Sequence, residues 1–244
     1  MKNSMGITGR VAGMIVGAAL LLVGAGFVGL GVTFLPVIGV FVGIFVLWLA
    51  LRFLTLKPIE ARDLIAGFLV PNDVMFHPGH AWAKVEENDF VIVTVGMDDF
   101  AAKLLGSVDS IAFPRLGSLV KQGSPAWWLK TDSRLIRMLS PVDGEVVALN
   151  YALGESPGTA FDDPYGNGWL FKVRTNSWTS NLNNMVIGDK LAEWLEGIRD
   201  SLASRSASAS APLYADGGEP IKGIAKAVDP EAWDDLAREF FLTK

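Results

Sequence analysis

An uncharged segment near the start of the chain constrains its structure more than any other feature. The 41 residues from Val11 to Leu51 contain no charged side chain. One membrane-spanning helix needs about 20 apolar residues, so the segment is long enough for two. Gly31 and Pro36 mark a break near its middle. The apolar region of a secretory signal peptide is much shorter, about 7–15 residues. The sequence therefore predicts a two-helix transmembrane hairpin in residues 1–55, with spans near 11–31 and 35–53.

Glycines recur at every fourth position in both predicted spans. Gly13 and Gly17 lie in the first span, and Gly39 and Gly43 lie in the second. Small residues at this spacing allow helix backbones to pack closely in lipid. We therefore expect these four glycines to contact a partner helix, from this chain or from another integral membrane subunit. The alternative is that glycine is simply common in membrane helices.

The basic residues that flank the uncharged segment predict its orientation. Lys2 and Arg10 precede the segment, and Arg52, Lys57 and Arg62 follow it. Loops rich in Lys and Arg stay on the cytoplasmic side of a membrane. We therefore expect a two-span protein of the cell inner membrane, with both termini and the soluble domain in the cytoplasm.

Composition and motifs exclude several classes of function. The net charge is −5, which argues against nucleic-acid binding. The chain has no cysteine, so disulfides, thiolate catalysis and iron–sulfur clusters are excluded. His77 and His80 have no evident third metal ligand, and neither a Gly-x-Ser-x-Gly motif nor a phosphate-binding loop occurs. We therefore predict no catalytic residue, no metal, no cofactor and no small-molecule substrate, which means that the protein is not an enzyme.

The rest of the chain divides by pattern into four parts. In the connector, residues 56–76, Leu64, Ile65, Phe68 and Leu69 share one helical face, which predicts a short helix at the membrane surface. Residues 77–177 contain short β-type runs between turn residues, interrupted by one short helix at 98–106. Residues 178–202 return to a helical period. Residues 203–244 are predicted as a flexible Ser- and Ala-rich linker, followed by a short helix at 229–241.

Motifs in the β-rich part follow one another in a distinctive order. They are His80-Ala81-Trp82, VTVGMD at 93–98, LGSV at 105–108, PRLG at 114–117, VKQG at 120–123, SPVDGEVVALN at 140–150 and DDPYGNGWLFKV at 162–173. In this order they resemble the H protein of the glycine cleavage system, over residues 77–175. The resemblance implies a mainly β, lipoyl-type barrel-sandwich domain, here with flanking α-helices. It also implies a hairpin whose lysine carries lipoic acid and shuttles an aminomethyl group between partner enzymes.

The lysine that this resemblance requires is missing. Counting back from Ser140 without gaps places the family's lipoyl lysine at Ser133 and its nearby acidic residue at Lys130. A serine hydroxyl cannot replace the amine that forms the lipoyl amide. A shift of three residues along a strand would turn a side chain to the other face of the sheet. The resemblance therefore implies a degenerate, non-lipoylated domain.

These observations predict a non-catalytic, membrane-anchored accessory or assembly subunit of a larger membrane complex, with a cytoplasmic docking domain. The combination suggests a respiratory or photosynthetic complex, although no residue identifies one. The expected partners are integral membrane subunits and the lipid bilayer. The alternative is a membrane-tethered lipoyl carrier that is modified at Lys130 and serves a lipoamide-dependent enzyme such as the glycine cleavage system. Trp127 and Trp128 are neighbours on a predicted strand, so they should point to opposite faces, one in the core and the other outward. The expected partner contacts at the hairpin are Trp127 or Trp128, Lys130, Ser133, Arg134 and Arg137, with the four glycines in the membrane.

Overall fold

A computed structural model describes residues 35–54, 62–86, 91–131, 134–209 and 220–243 of the chain. The chain divides into two units, Met1–Ile59 and Glu60–Lys244. In the first unit, helix α1 (Leu35–Leu54) coincides with the second predicted span. Gly39 and Gly43 lie in this helix, and a Cβ atom built on either would meet no atom within 4 Å. The first predicted span, with Gly13 and Gly17, lies outside the described residues.

Within the described residues, no helix is both long enough and apolar enough to cross a membrane. The transmembrane hairpin therefore stays a prediction from the sequence.

The second unit is mainly β. In the described residues its strands are, in chain order, β1 (Arg62–Ile65), β2 (Phe68–Pro71), β3 (Met75–His77), β4 (Ala81–Glu86), β5 (Ile92–Met97), β6 (Ser110–Ala112), β7 (Leu119–Val120), β8 (Pro125–Thr131), β9 (Arg134–Leu139), β10 (Gly144–Leu149) and β11 (Phe171–Arg174). Its helices are α2 (Asp99–Leu105), α3 (Ala152–Glu155), α4 (Thr159–Asp162), α5 (Trp178–Leu182), α6 (Asp189–Ala209), α7 (Ile224–Val228) and α8 (Trp233–Phe240). The predicted mainly β domain with flanking helices is thus confirmed.

Two sheets enclose the core. One has six strands in the order β3-β4-β5-β11-β10-β7, and the other has three in the order β6-β8-β9. The alternation of side chains along a strand turns one face of each sheet inward. Trp127 of β8 and Phe171 of β11 meet edge to face, with ring centroids 5.4 Å apart. The core therefore lies between the two sheets and joins them.

Helix α2 forms as the sequence predicts. The Asp98 carboxylate accepts the Ala101 backbone N–H at 2.8 Å, and Gly106 ends the helix with a bond to the Ala102 carbonyl. The other Asp98 oxygen lies 2.8 Å from Nδ1 of His80. Asp98 therefore caps the helix and fixes the His80 ring at the same time.

The connector differs from its prediction: it forms a β-hairpin and not an amphipathic helix. Strands β1 and β2 pair with Leu64 opposite Leu69 and Ile65 opposite Phe68. The two turn residues, Ala66 and Gly67, have φ values of 54° and 89°. Two successive left-handed residues form the tight turn that suits a hairpin and end any α-helix. The helix prediction for residues 62–71 is therefore wrong.

The C-terminal part also differs from its prediction. Residues 203–209 continue helix α6 and are not a linker, and residues 210–219 lie outside the described part of the chain. Leu202 and Ser206 extend the buried face that begins with Leu191, Leu195 and Ile198. The predicted helix at 229–241 is shorter, Trp233–Phe240. The helix predicted at 178–202 is interrupted between α5 and α6.

Candidate docking site on the β8–β9 hairpin

Strands β8 and β9 form the hairpin at which the sequence resemblance implies the family's lipoyl lysine. The last residue pair in their register is Thr131 with Arg134. The turn between the strands therefore consists of the two residues 132 and 133. In the sequence these are Asp132 and Ser133, and both lie outside the described residues. The turn contains no lysine.

The inner face of the hairpin belongs to the core. Trp127, Leu129, Ile136 and Met138 have essentially no exposed surface. The Trp127 indole Nε1 has no hydrogen-bond partner among the described residues. Trp127 therefore stabilises the domain by packing, and it offers no surface to a partner. Of the two tryptophans, Trp127 is therefore the one in the core, and Trp128 stays a predicted partner contact.

The outer face of the hairpin carries the side chains that a partner could reach. Lys130 is exposed and lies opposite Leu135, which is also exposed. Trp128 lies opposite Arg137 and is half-buried, whereas Arg137 is exposed. The prediction that the two tryptophans point to opposite faces is confirmed. Lys130, Leu135, Trp128 and Arg137 together form what we call the outer face of the hairpin.

Lys130 presents its amine from a strand and not from a turn. Its backbone carbonyl accepts the Asp109 N–H at 2.8 Å, and its neighbours in the sheet are Ser110 and Leu135. The strand is therefore hydrogen-bonded on both sides at this position. The amine is accessible, but the backbone that carries it has none of the freedom of a hairpin tip.

Arg134 holds the C-terminal segment, residues 220–243, against the end of the hairpin. Its guanidinium donates a 2.6 Å hydrogen bond to the Glu231 carbonyl and forms an ion pair with Asp234. It also lies 5.6 Å from the centre of the Trp233 ring. Lys226 lies over the same ring at 5.1 Å. Arg134 is thus engaged within the chain, and its role as a partner contact stays a prediction.

The C-terminal segment packs into the domain as part of its core. Ile224, Trp233, Ala237 and Phe241 are buried. The Gly223 N–H donates to the Lys103 carbonyl at 2.8 Å, which ties the start of α7 to α2. The segment therefore folds onto its own domain.

The two histidines are buried and pack within the domain. The His80 ring stacks between Phe100 and Trp194, at centroid distances of 4.1 and 4.9 Å. Nδ1 of His77 accepts the Gly79 N–H at 3.0 Å. Burial, and secondarily charge on His80, lowers the pKa of His77 from 6.5 to about 4. The described residues contain no cluster of three or more metal-ligating side chains.

Comparisons with known proteins agree on the β domain. The family model for the glycine cleavage H-protein matches residues 74–198. A glycine cleavage system H protein from Xanthomonas axonopodis pv. citri is 38% identical over 127 residues, which cover 52% of this chain and 95% of that protein. One from Xanthomonas oryzae pv. oryzae is 37% identical with the same coverage. The crystal structure of such a protein from Mycobacterium marinum covers 47% of this chain and 98% of its own, with 26% identity and a TM-score of 0.40.

Proposed function

Because the chain belongs to the glycine cleavage H-protein family, we propose that it uses the family's β domain as a docking module that carries no lipoyl group. In this proposal the protein is a non-catalytic accessory or assembly subunit of a larger membrane complex. One observation carries it. The Thr131–Arg134 pair limits the hairpin turn to two residues, and neither is a lysine.

The remaining features of the hairpin support docking. Its outer face presents Lys130, Leu135, Trp128 and Arg137, a mixture of cationic, aliphatic and aromatic side chains. Aromatic residues and arginine are enriched at protein interfaces. The rigid β8–β9 pairing holds these side chains in place, so a partner meets a preformed surface.

The membrane anchor is the second part of the proposal. It rests on the uncharged segment from Val11 to Leu51 and on the basic residues around it. In the described part of α1, large apolar side chains are exposed, among them Phe41, Ile44, Phe45 and Leu47. Exposed apolar side chains of this number require a lipid or protein partner. We propose the inner membrane, with both termini cytoplasmic, and integral membrane subunits as neighbours.

Extraction from native membranes tests the proposal. Membranes are first washed with alkaline carbonate, which releases peripheral proteins, and then solubilised in a mild detergent. We expect the protein to resist the wash and to co-purify with a constant set of integral membrane proteins, identified by mass spectrometry. Release by carbonate would refute the anchor. Purification with lipoate-handling enzymes alone would refute the accessory role.

The second candidate function is a membrane-tethered lipoyl carrier. One observation favours it: Lys130 is exposed on the hairpin that corresponds to the lipoyl hairpin. The mass of the peptide that contains Lys130, taken from protein produced in its native cell, separates the two functions. An unmodified peptide supports the docking module, and a lipoyl adduct on Lys130 establishes the carrier.

A further inference from the structure

The chain carries a second exposed apolar feature, which immediately precedes the β8–β9 hairpin in sequence and is absent from the proposed function. It is the segment 115–121, with the sequence Arg-Leu-Gly-Ser-Leu-Val-Lys, which we call the RL loop. Leu119 is 83% exposed and Leu116 is 57% exposed. No other large apolar side chain of the described residues is as exposed as Leu119. Two leucines held in water in this way indicate a binding function.

The backbone of the RL loop is fixed, so the exposure of the leucines is built in. The Gly117 N–H donates to the Val146 carbonyl at 2.8 Å, and the Val146 N–H donates to the Ser118 carbonyl at 2.9 Å. Gly117 has a φ of +78°, a left-handed conformation that glycine adopts without strain. The Ser118 hydroxyl donates to the Arg115 carbonyl at 2.6 Å. The loop is thus pinned to strand β10 by its own hydrogen bonds.

Cations flank the two leucines. Val120 packs against the core, so Leu119 beside it in β7 points the other way. Lys121 follows the end of β7 and is exposed. Arg115 stands beside Leu116 at the other end of the loop. Neither Arg115 nor Lys121 forms an ion pair with any residue that the structure describes. Glu145, which lies opposite Leu119, is paired with Arg174 at 3.2 Å. The loop therefore presents two cations, without ion pairs among the described residues, beside two exposed leucines.

We propose that the RL loop inserts its two leucines into an anionic lipid surface. The choice of a lipid partner draws on the proposed membrane anchor. It also follows from the size of the apolar feature, because two exposed leucines are far too small for a stable protein interface of about 1,200–2,000 Å². A fluid bilayer accepts such a tip without a complementary pocket, and the long Arg and Lys side chains reach the headgroups. Each cation is expected to favour the bound state about fivefold.

A cysteine label on the full chain tests this inference, because the natural chain has no cysteine. Leu119→Cys, labelled with an environment-sensitive fluorophore, is reconstituted into vesicles that contain lipids with a quencher near the headgroup. The matched control is Tyr151→Cys, also at an exposed residue. Tyr151 follows the far end of β10, about 20 Å along the strand from Glu145. Both substitutions replace exposed side chains, so neither should prevent folding.

The inference predicts a specific pattern of quenching. In vesicles of phosphatidylcholine and phosphatidylglycerol, the label at position 119 should be quenched at least twice as strongly as the label at position 151. Replacing Arg115 and Lys121 together by glutamine, or using phosphatidylcholine alone, should remove most of the difference. Equal quenching at the two positions, or none at either, would overturn the inference. Burial of the label only when native membrane proteins are added would also overturn it, in favour of a protein partner.

The outcome is independent of the anchor test. If the protein resists carbonate but the label at position 119 is not quenched, the anchor is supported and the loop insertion is refuted. If carbonate releases the protein but the label is quenched in anionic vesicles, the loop insertion is supported and the anchor is refuted.

Discussion

Arg134 and Asp234 form an ion pair that joins the end of the β8–β9 hairpin to helix α8. The Asp234 side chain is only 9% exposed, and it also pairs with Arg238 at 2.6 Å. A carboxylate with so little access to water depends on its cations to remain charged. The pair therefore fixes the position of the C-terminal segment over the hairpin.

Replacing Arg134 by methionine should destabilise the domain. The variant keeps the length of the side chain but leaves Asp234 with one cation fewer and removes the hydrogen bond to the Glu231 carbonyl. We expect the free energy of unfolding to fall by about 1–3 kcal/mol, measured by urea denaturation with tryptophan fluorescence. The control is Arg199→Met, because Arg199 pairs with the exposed Asp200 and should contribute less than about 1 kcal/mol. Equal losses in the two variants would contradict a special role for Arg134.

Two adjacent residues at the end of α8 should differ sharply in their effect on stability. Phe241 is 0% exposed, whereas Leu242 is 58% exposed. Phe241→Ala should lower the free energy of unfolding by about 3–5 kcal/mol, because it leaves a cavity in the core. Leu242→Ala should change it by less than about 0.5 kcal/mol. Small effects for both, in the same denaturation experiment, would mean that the C-terminal segment is not packed on the domain in solution.

Local signals in the sequence were enough to locate most of the β domain. The short helix predicted at 98–106 depends on residues close together in the sequence, and the structure places α2 there, capped by Asp98 and ended by Gly106. The opposite orientation of Trp127 and Trp128 follows from strand alternation alone. Such features depend on neighbours in the sequence, so no knowledge of the tertiary structure is needed to predict them.

The connector was mispredicted because apolar spacing is ambiguous there. Leu64 and Leu69, and Ile65 and Phe68, lie on one face of a helix, but they also pair across a tight hairpin. The decisive signal was the Ala66-Gly67 turn, in which glycine favours the left-handed conformation.

The C-terminal contacts could not be found by pattern, because they join distant parts of the chain. The sequence offered one hint of these contacts. Asp234 and Asp235, in the first turn of α8, are acidic, and the hairpin residue Arg134 is basic. The Ser- and Ala-rich stretch after Leu202 resembled a linker, but alanine is the best helix former and small side chains fit a packed helix face. Its burial at Ser206 depends on neighbours that sequence spacing does not reveal.

The stability of the domain should fall with pH through His77. Its pKa in the folded protein is about 4, below the 6.5 of the unfolded chain, so the unfolded state binds the proton first as the pH drops. The stability contribution is complete above pH 6.5 and is lost as the pH falls toward 4, by about 3 kcal/mol in all. His77→Asn retains an acceptor for the Gly79 N–H but does not titrate. The free energy of unfolding of the variant, measured from pH 7 to pH 4, should depend less on pH than that of the natural protein. The same pH dependence of the free energy of unfolding in both proteins would show that His77 does not cause it.

A lysine placed at position 133 should restore the lipoyl attachment site that this chain lacks. Ser133→Lys supplies the amine at the aligned position, and Lys130→Glu restores the acidic residue three positions earlier. We expect the double variant, co-expressed with a lipoate ligase and supplied with lipoate, to gain the mass of one lipoyl group. The single variant Ser133→Lys should be modified less, because Lys130, Arg134 and Arg137 keep the hairpin basic.

The natural protein, treated identically, is the control and should remain unmodified, because its turn has no lysine and Lys130 is held in a strand. The substituted positions lie at the turn and on the outer face, so the variants leave the packing of Trp127 unchanged. Modification of the natural protein at Lys130 would mean that strand pairing does not prevent attachment, and the carrier function would replace the docking module. A double variant that folds but gains no mass would mean that recognition by the ligase extends beyond these two positions.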